Sequence, residues 1–287
     1  MSGWKETLAE RAFAFSALIS ATATLLILGF MVVMAFPLLK SGGVISLLTQ
    51  PWVPRQGIFG IYPMLVTTVG ISCLSLLFAF PLSLGCACLI HLTGRRSSNV
   101  FFRRMVQLMT GIPTVIYGFV GIFLLVPLVR EFFQTGSGMC LLTGAMMLGI
   151  LISPTMILFF CDGFDRVPGA YLLAADSVGA DPAQKLLYVV LPSAKKGILI
   201  GVILAFGRAA GDTLISLMIA GNAAQVPGSL LDSVRTLTAH IALVIAADYE
   251  SPEFRSIFAC GLVLYLFITV IIVAVRHLTL GEKETAA

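Results

Sequence analysis

Charge is what this sequence has least of. Lys, Arg, Asp and Glu make up 11% of its 287 residues, less than half of the roughly 25% found in an ordinary soluble domain. With 18 basic and 14 acidic side chains, the chain cannot cover a surface of its size with ionic groups, which excludes a water-soluble fold. It has no G-x-x-x-x-G-K-[ST], so it is not expected to bind nucleotide through a P-loop. The six cysteines (Cys73, Cys86, Cys88, Cys140, Cys161, Cys260) fall in or beside apolar runs and read as small apolar residues, not as a disulfide frame. Cys86-x-Cys88 lacks the second ligand pair of a zinc site, so no metal site is predicted. The net charge of +4 is no nucleic-acid footprint either, because the basic residues sit between apolar runs and not together on one polar face.

What the chain has instead is hydrocarbon: 58% of its residues are hydrophobic and its mean hydropathy is +1.01. Uncharged runs occupy 12–39, 56–94, 105–129, 132–161 and 256–275, and a sixth, 197–231, is interrupted only by Arg208 and Asp212. About 20 apolar residues cross a bilayer, so the expectation is an all-α integral membrane protein with six transmembrane helices. Gly57, Gly60 and Pro63 make the start of the second run a loop. The first run is about twice the length of a signal-peptide h-region and is expected to remain in the mature protein. The expected organisation is a cytoplasmic N-terminus (1–11), a six-span domain (12–275) containing a cytoplasmic loop (162–196), and a cytoplasmic tail (276–287). With the N-terminus inside, twelve Lys and Arg fall in inner segments and five in outer ones, and the positive-inside rule then puts both termini in the cytoplasm.

Small residues recur where lipid-facing helices would carry Leu or Ile. The third span holds Gly111, Pro113, Gly118, Gly121 and Pro127, and the fifth has Gly197-x-x-x-Gly201 continued by Ala205, a pattern of close helix packing. The loop Asp162 to Lys196 encodes two short helices. Pro168 suits a first turn and Gly179 a C-terminal cap; Asp181-Pro182-Ala183-Gln184 reads as a capping box, and Pro192 is expected to end the second helix.

Arg208 lies about 16 Å along a helix beginning near Gly197, close to the bilayer midplane, where a guanidinium is costly and tends to be functional. Asp212, four residues on, is expected to face Arg208 and pair with it. The stripe 197, 201, 205, 208, 212 turns both charges toward the packed interior. A structural salt bridge and an anion site are both open at this point; a guanidinium makes bidentate, charge-assisted bonds to a tetrahedral oxyanion.

The loop resembles that of the permease subunits of ABC importers, whose pattern is E-A-A-x3-G-x9-I-x-L-P. Leu173-Ala174-Ala175, Gly179 and Val189-Val190-Leu191-Pro192 fall at those spacings, with Leu173 in place of the Glu. The wider sequence resembles the phosphate-importer permeases, PstC-type more than PstA-type, through Trp52-Val53-Pro54, Phe59-Gly60-Ile61-Tyr62-Pro63-Met64-Leu65, Gly111-Ile112-Pro113-Thr114-Val115-Ile116-Tyr117-Gly118, Gly207-Arg208-Ala209-Ala210-Gly211-Asp212-Thr213, Asn222 and Ser233-Val234-Arg235-Thr236-Leu237-Thr238. These segments cover about 45 to 275. The family pattern has Glu where this chain has Asp212.

The resemblance implies a MetI-like type I ABC importer permease in a bacterial inner membrane, importing inorganic phosphate. Tyr171, Ala174, Ala175 and Gly179 would belong to the coupling helix that meets the ATPase, and Arg208 and Asp212 to the substrate path. It implies a homologous PstA-type permease, two ATP-binding subunits and an extracytoplasmic phosphate-binding protein as partners. ATP and Mg would bind to the ATPase and no cofactor to this chain. Other readings are a permease for molybdate, tungstate or sulfate, a stand-alone channel or secondary transporter, for which inverted repeats should be visible, and an intramembrane aspartyl protease, which needs a second central carboxylate.

Overall fold

The computed structural model describes residues 3–92, 96–249 and 251–281. Arg95 and Lys283, both counted among the inner basic residues, and residues 282–287 of the expected tail lie outside them.

Helix α1 (Gly3–Thr49) leads into a hairpin of β1 (Trp52–Val53) and β2 (Ile58–Phe59), antiparallel with Trp52 opposite Phe59. Gly57, at φ 71°, closes the turn between them in the left-handed region. Then follow α2 (Tyr62–Leu92), α3 (Arg96–Thr110), α4 (Thr114–Val120), α5 (Val126–Phe133) and α6 (Leu141–Asp165). The second half holds α7 (Gly169–Ser177), α8 (Pro182–Lys185), α9 (Leu191–Ser193), α10 (Lys195–Gly211), α11 (Leu214–Ile219), α12 (Leu237–Val244) and α13 (Pro252–Gly281). Two π turns, Gly121–Leu125 and Leu186–Val190, join α4 to α5 and α8 to α9. Each ends two residues before a proline, Pro127 or Pro192, whose missing N–H already interrupts the regular ladder.

Five described helices are long and apolar enough to cross a membrane: Glu6–Leu38 within α1, Tyr62–Leu92, Thr114–Phe133, Leu141–Asp165 and Pro252–Val273. Pro182–Ser193 and Lys195–Gly211, bent by 68°, pass the same test as one broken span. Up to six crossings are therefore available by length and composition, with boundaries that differ from those expected. The third begins at Thr114 and not at 105, because α3 carries residues 96–110 as a separate amphipathic helix with Arg103 and Arg104 in its middle. The fourth begins at Leu141 and not at 132, because α5 continues through Phe133. The sixth uncharged run, 197–231, is not one helix: α10 stops at Gly211 and only six residues, α11, resume it. The second loop helix runs through Pro192 and stops at Ser193.

Burial of apolar side chains among lipid tails brings no transfer from water, so close packing of small residues holds the helices together. Helix α6 is the centre, with Ile152, Met156 and Phe160 buried between α2 and α10. A Cβ at Gly197 would lie 2.8 Å from the Gly163 Cα, and one at Gly201 3.0 Å from the Phe159 Cβ. The expected small-residue stripe is thus the α6–α10 contact. Helix α1 packs along α13, Phe30 against Phe258, buries Leu47 near Ile61 and Met64, and turns most of its large apolar side chains outward.

Candidate functional site

The site predicted from sequence lies where α10 breaks. Arg208 occupies the last turn of α10, where a cation complements the negative end of the helix dipole. Its Nη1 donates across to Thr155 Oγ1 of α6 at 2.7 Å. Asp212 is the residue on which the helix ends, with extended backbone (φ −72°, ψ 129°), and its Oδ2 accepts from the Ile215 N–H at 2.9 Å. It is 9% exposed.

The expected Arg208–Asp212 ion pair does not form. Among the described residues the ion pairs are Arg103 with Asp165 and Asp162, and Lys185 with Asp176. The four-residue spacing brings two side chains together only while the helix continues; here it stops at Asp212, and the carboxylate turns to the first turn of α11. Gly211-Asp212-Thr213 before an apolar run is a stop signal followed by capping residues, and it was the local indication of the break.

A second layer of hydroxyls, absent from the sequence-based site, fixes this break. Thr238 Oγ1 donates to the Asp212 carbonyl at 2.8 Å, tying α12 to the end of α10. Thr236 caps α12 through the Ala239 N–H, and Thr68 Oγ1 of α2 accepts from the Leu237 N–H at 2.9 Å. The Thr67 Oγ1 and Ser216 Oγ are buried without a hydrogen-bond partner. Thr155 was legible only as a polar residue in an apolar run.

The Ser233-Val234-Arg235-Thr236-Leu237-Thr238 run wraps the C-terminal end of α11. Val234 N–H donates to the Ala220 carbonyl and Asn222 N–H to that of Val234. Asn222 takes φ 67° and its Nδ2 donates to the Leu217 carbonyl. Arg235 Nε donates to the Asn222 carbonyl at 2.8 Å, with Nη1 3.5 Å from His240 Nδ1. His240 is fully buried, edge-on to Trp52 with ring centroids 4.4 Å apart and Nε2 3.3 Å from Ser256 Oγ. Burial, reinforced by the Arg235 charge, holds this imidazole down to about 4.

Both loop helices form, with the predicted caps at Gly179 and Asp181. Gly179, at φ 78°, ends α7 with Gly179 N–H bonded to the Asp176 carbonyl and Ala180 N–H to that of Ala175, a Schellman pair. Asp181 and Gln184 make the reciprocal capping box. Pro168 stands at the N-cap of α7, with ψ 130°, one residue before its first turn. No residue of α7 is buried; Leu173 is 71% and Val178 83% exposed. Tyr171, Ala174 and Ala175 line one open groove of about 730 Å³ with Val178, Gln184 and Tyr188. Gly179 lies at its edge, and its backbone angle accounts for glycine there.

Residues 79–280 match the family described as binding-protein-dependent transport system inner membrane component. The probable ABC transporter permease protein YqgH of Bacillus subtilis is 30% identical over 226 residues, 78% of this chain and 73% of that protein. The phosphate transport system permease protein PstC of Mesorhizobium japonicum is 30% identical over 259 residues, 84% and 79% of the two chains. Among solved structures, an inward-facing form of the MetNI methionine ABC transporter superposes with a TM-score of 0.60 at 17% identity, covering 78% of this chain and 96% of that one, which extends the likeness to the MetI-like helical fold. Through the match over residues 79–280, the chain belongs to the family of inner-membrane components of binding-protein-dependent transport systems.

Proposed function

We propose that this transport subunit, which is not an enzyme, is the permease half of an ATP-driven importer of inorganic phosphate. The observation that carries the reading is Arg208: a half-buried guanidinium at a helix break inside the bundle, hydrogen-bonded to a neutral hydroxyl, with no described carboxylate within ion-pair distance. With no carboxylate in contact, such a group is open to pair with an anion, and its planar fork suits a tetrahedral oxyanion. The name of the Mesorhizobium japonicum relative supports phosphate as that anion.

In this reading the chain pairs with a PstA-type permease, two ATP-binding subunits drive the pair, and an extracytoplasmic phosphate-binding protein delivers the substrate. ATP and Mg belong to the ATPase. Exposed α7 and its groove, with Tyr171, Ala174, Ala175 and Gly179, form the surface that the ATPase grips, and both termini lie in the cytoplasm. Closure of the ATPases then moves α7, and the 68° bend at Ala194 joins that movement to α10, which carries Arg208.

The test is uptake by the reconstituted complex with phosphate, sulfate, molybdate and tungstate in competition. Phosphate uptake that the other oxyanions do not suppress supports the reading; preferred uptake of one of the others assigns the permease to that ion. Arg208→Gln should stop uptake at equal membrane content, and Arg208→Lys should retain at most part of it. Parental uptake by an assembled Arg208→Gln complex would make Arg208 structural.

A further inference from the structure

Threonine and serine hydroxyls within these helices have a habitual partner. Thr68, Ser72, Ser75 and Ser153 each donate to the carbonyl four residues back in their own helix, the usual way to satisfy a hydroxyl among apolar neighbours. Thr155 departs from it: its oxygen accepts from Arg208 Nη1, 53 residues away on another helix. Its support is firm, since Pro154 and Met156 beside it are buried and α6 is the element on which α2 and α10 both pack.

The geometry points to Thr155 as a positioning residue for transport, whose hydroxyl fixes the plane of the Arg208 guanidinium so that its remaining N–H groups meet the anion in one orientation. The inference rests on Arg208 being the charge partner of the transported anion, as proposed above. Arginine has several rotatable bonds, and a fork left free to turn loses much of the advantage of a bidentate donor. An acidic partner would fix the plane as well but would cancel the charge. A hydroxyl fixes it without adding a negative charge, and the Asp212 carboxylate, which makes no ion pair with Arg208, is held by the Ile215 N–H. A side chain held by a rigid neighbouring helix is the arrangement that keeps a binding group in register.

Thr155→Val removes the hydroxyl and keeps the shape; Thr155→Ser keeps the hydroxyl. In the full reconstituted complex, Thr155→Val should lower the initial rate of oxyanion uptake on the order of tenfold, as expected for loss of a bond to a charged group, and should narrow the preference among oxyanions. Thr155→Ser should stay within about twofold of the parent, given the usual scatter of such comparisons. Because an ammonium has no plane to orient, Thr155→Val in the Arg208→Lys background should cost less than about twofold by the same measure. Uptake by Thr155→Val at the parental rate, an equal fall in Thr155→Ser, or an undiminished cost in the Arg208→Lys background would overturn the inference. If Arg208→Lys carries no uptake, the Val-against-Ser contrast decides alone; if Thr155→Val does not assemble, Thr155→Ala takes its place under the same criteria. Should the parent import sulfate or molybdate instead, the phosphate reading falls, and the comparison is then made on the ion imported.

Discussion

The break at Asp212 separates two accounts of its carboxylate that the sequence alone leaves joined. As a counter-charge to Arg208, the group matters for its charge; as the acceptor for the Ile215 N–H, it matters for its oxygen. Asp212→Ala removes the acceptor and leaves a backbone N–H unpaired in the apolar interior, which costs about 1–3 kcal/mol. Asp212→Asn keeps an amide oxygen at the same reach and loses only the charge assistance, roughly half of that. Asp212→Glu keeps the charge but carries it one methylene further, as in the family pattern, and should transport. The order of stability should therefore be Asp, Asn, Ala, with appreciable uptake in Asp212→Asn and little in Asp212→Ala. Thermal unfolding of the purified complex can be followed by a thiol dye that reports exposure of buried Cys140, Cys161 and Cys260, beside uptake at equal membrane content. Asp212→Asn as inactive as Asp212→Ala while melting with the parent would refute the capping argument and restore the counter-charge.

Three further outcomes are expected. Ala175→Arg, on the exposed groove of α7, should abolish co-purification of the ATPase while leaving membrane insertion intact; ATPase recovered at full yield would remove α7 as the docking surface. A cysteine replacing Ser98 should resist impermeant labelling in intact cells and one replacing Ser229 should react, and the reverse pattern would invert the topology. Burial and the Arg235 charge hold His240 at about 4 against 6.5 for a free imidazole, so below 6.5 the unfolded chain takes up a proton that the folded one refuses. Stability should then fall as pH drops from 6.5 to about 4, by at most about 1.4 kcal/mol per pH unit, and His240→Gln should flatten that slope in melts recorded across the range.

What could be read from the sequence was what local chemistry decides. The cap at Gly179 and the box at Asp181 and Gln184 formed as expected because each is closed by residues no more than a few positions apart. Apolar runs announced the crossings but not their ends, since charge is a poor boundary where an amphipathic helix intervenes: Arg103 and Arg104 sit inside α3, with Arg103 anchored to Asp165 at the end of α6. The Arg208–Asp212 pairing failed for a different reason. It assumed that an apolar run is one helix, although Gly211-Asp212-Thr213 carries both a stop and a cap. Thr155 and Thr238 were beyond reach, because their partners stand 53 and 26 residues away and meet them only through the packing of α6, α10 and α12. The small residues at 197, 201 and 205 link these levels: they let α10 lie close on α6, and that closeness brings the Arg208 guanidinium to a threonine on the neighbouring helix. Widening this crossing, for example by Gly197→Leu, should therefore disturb Arg208 as well as the fold.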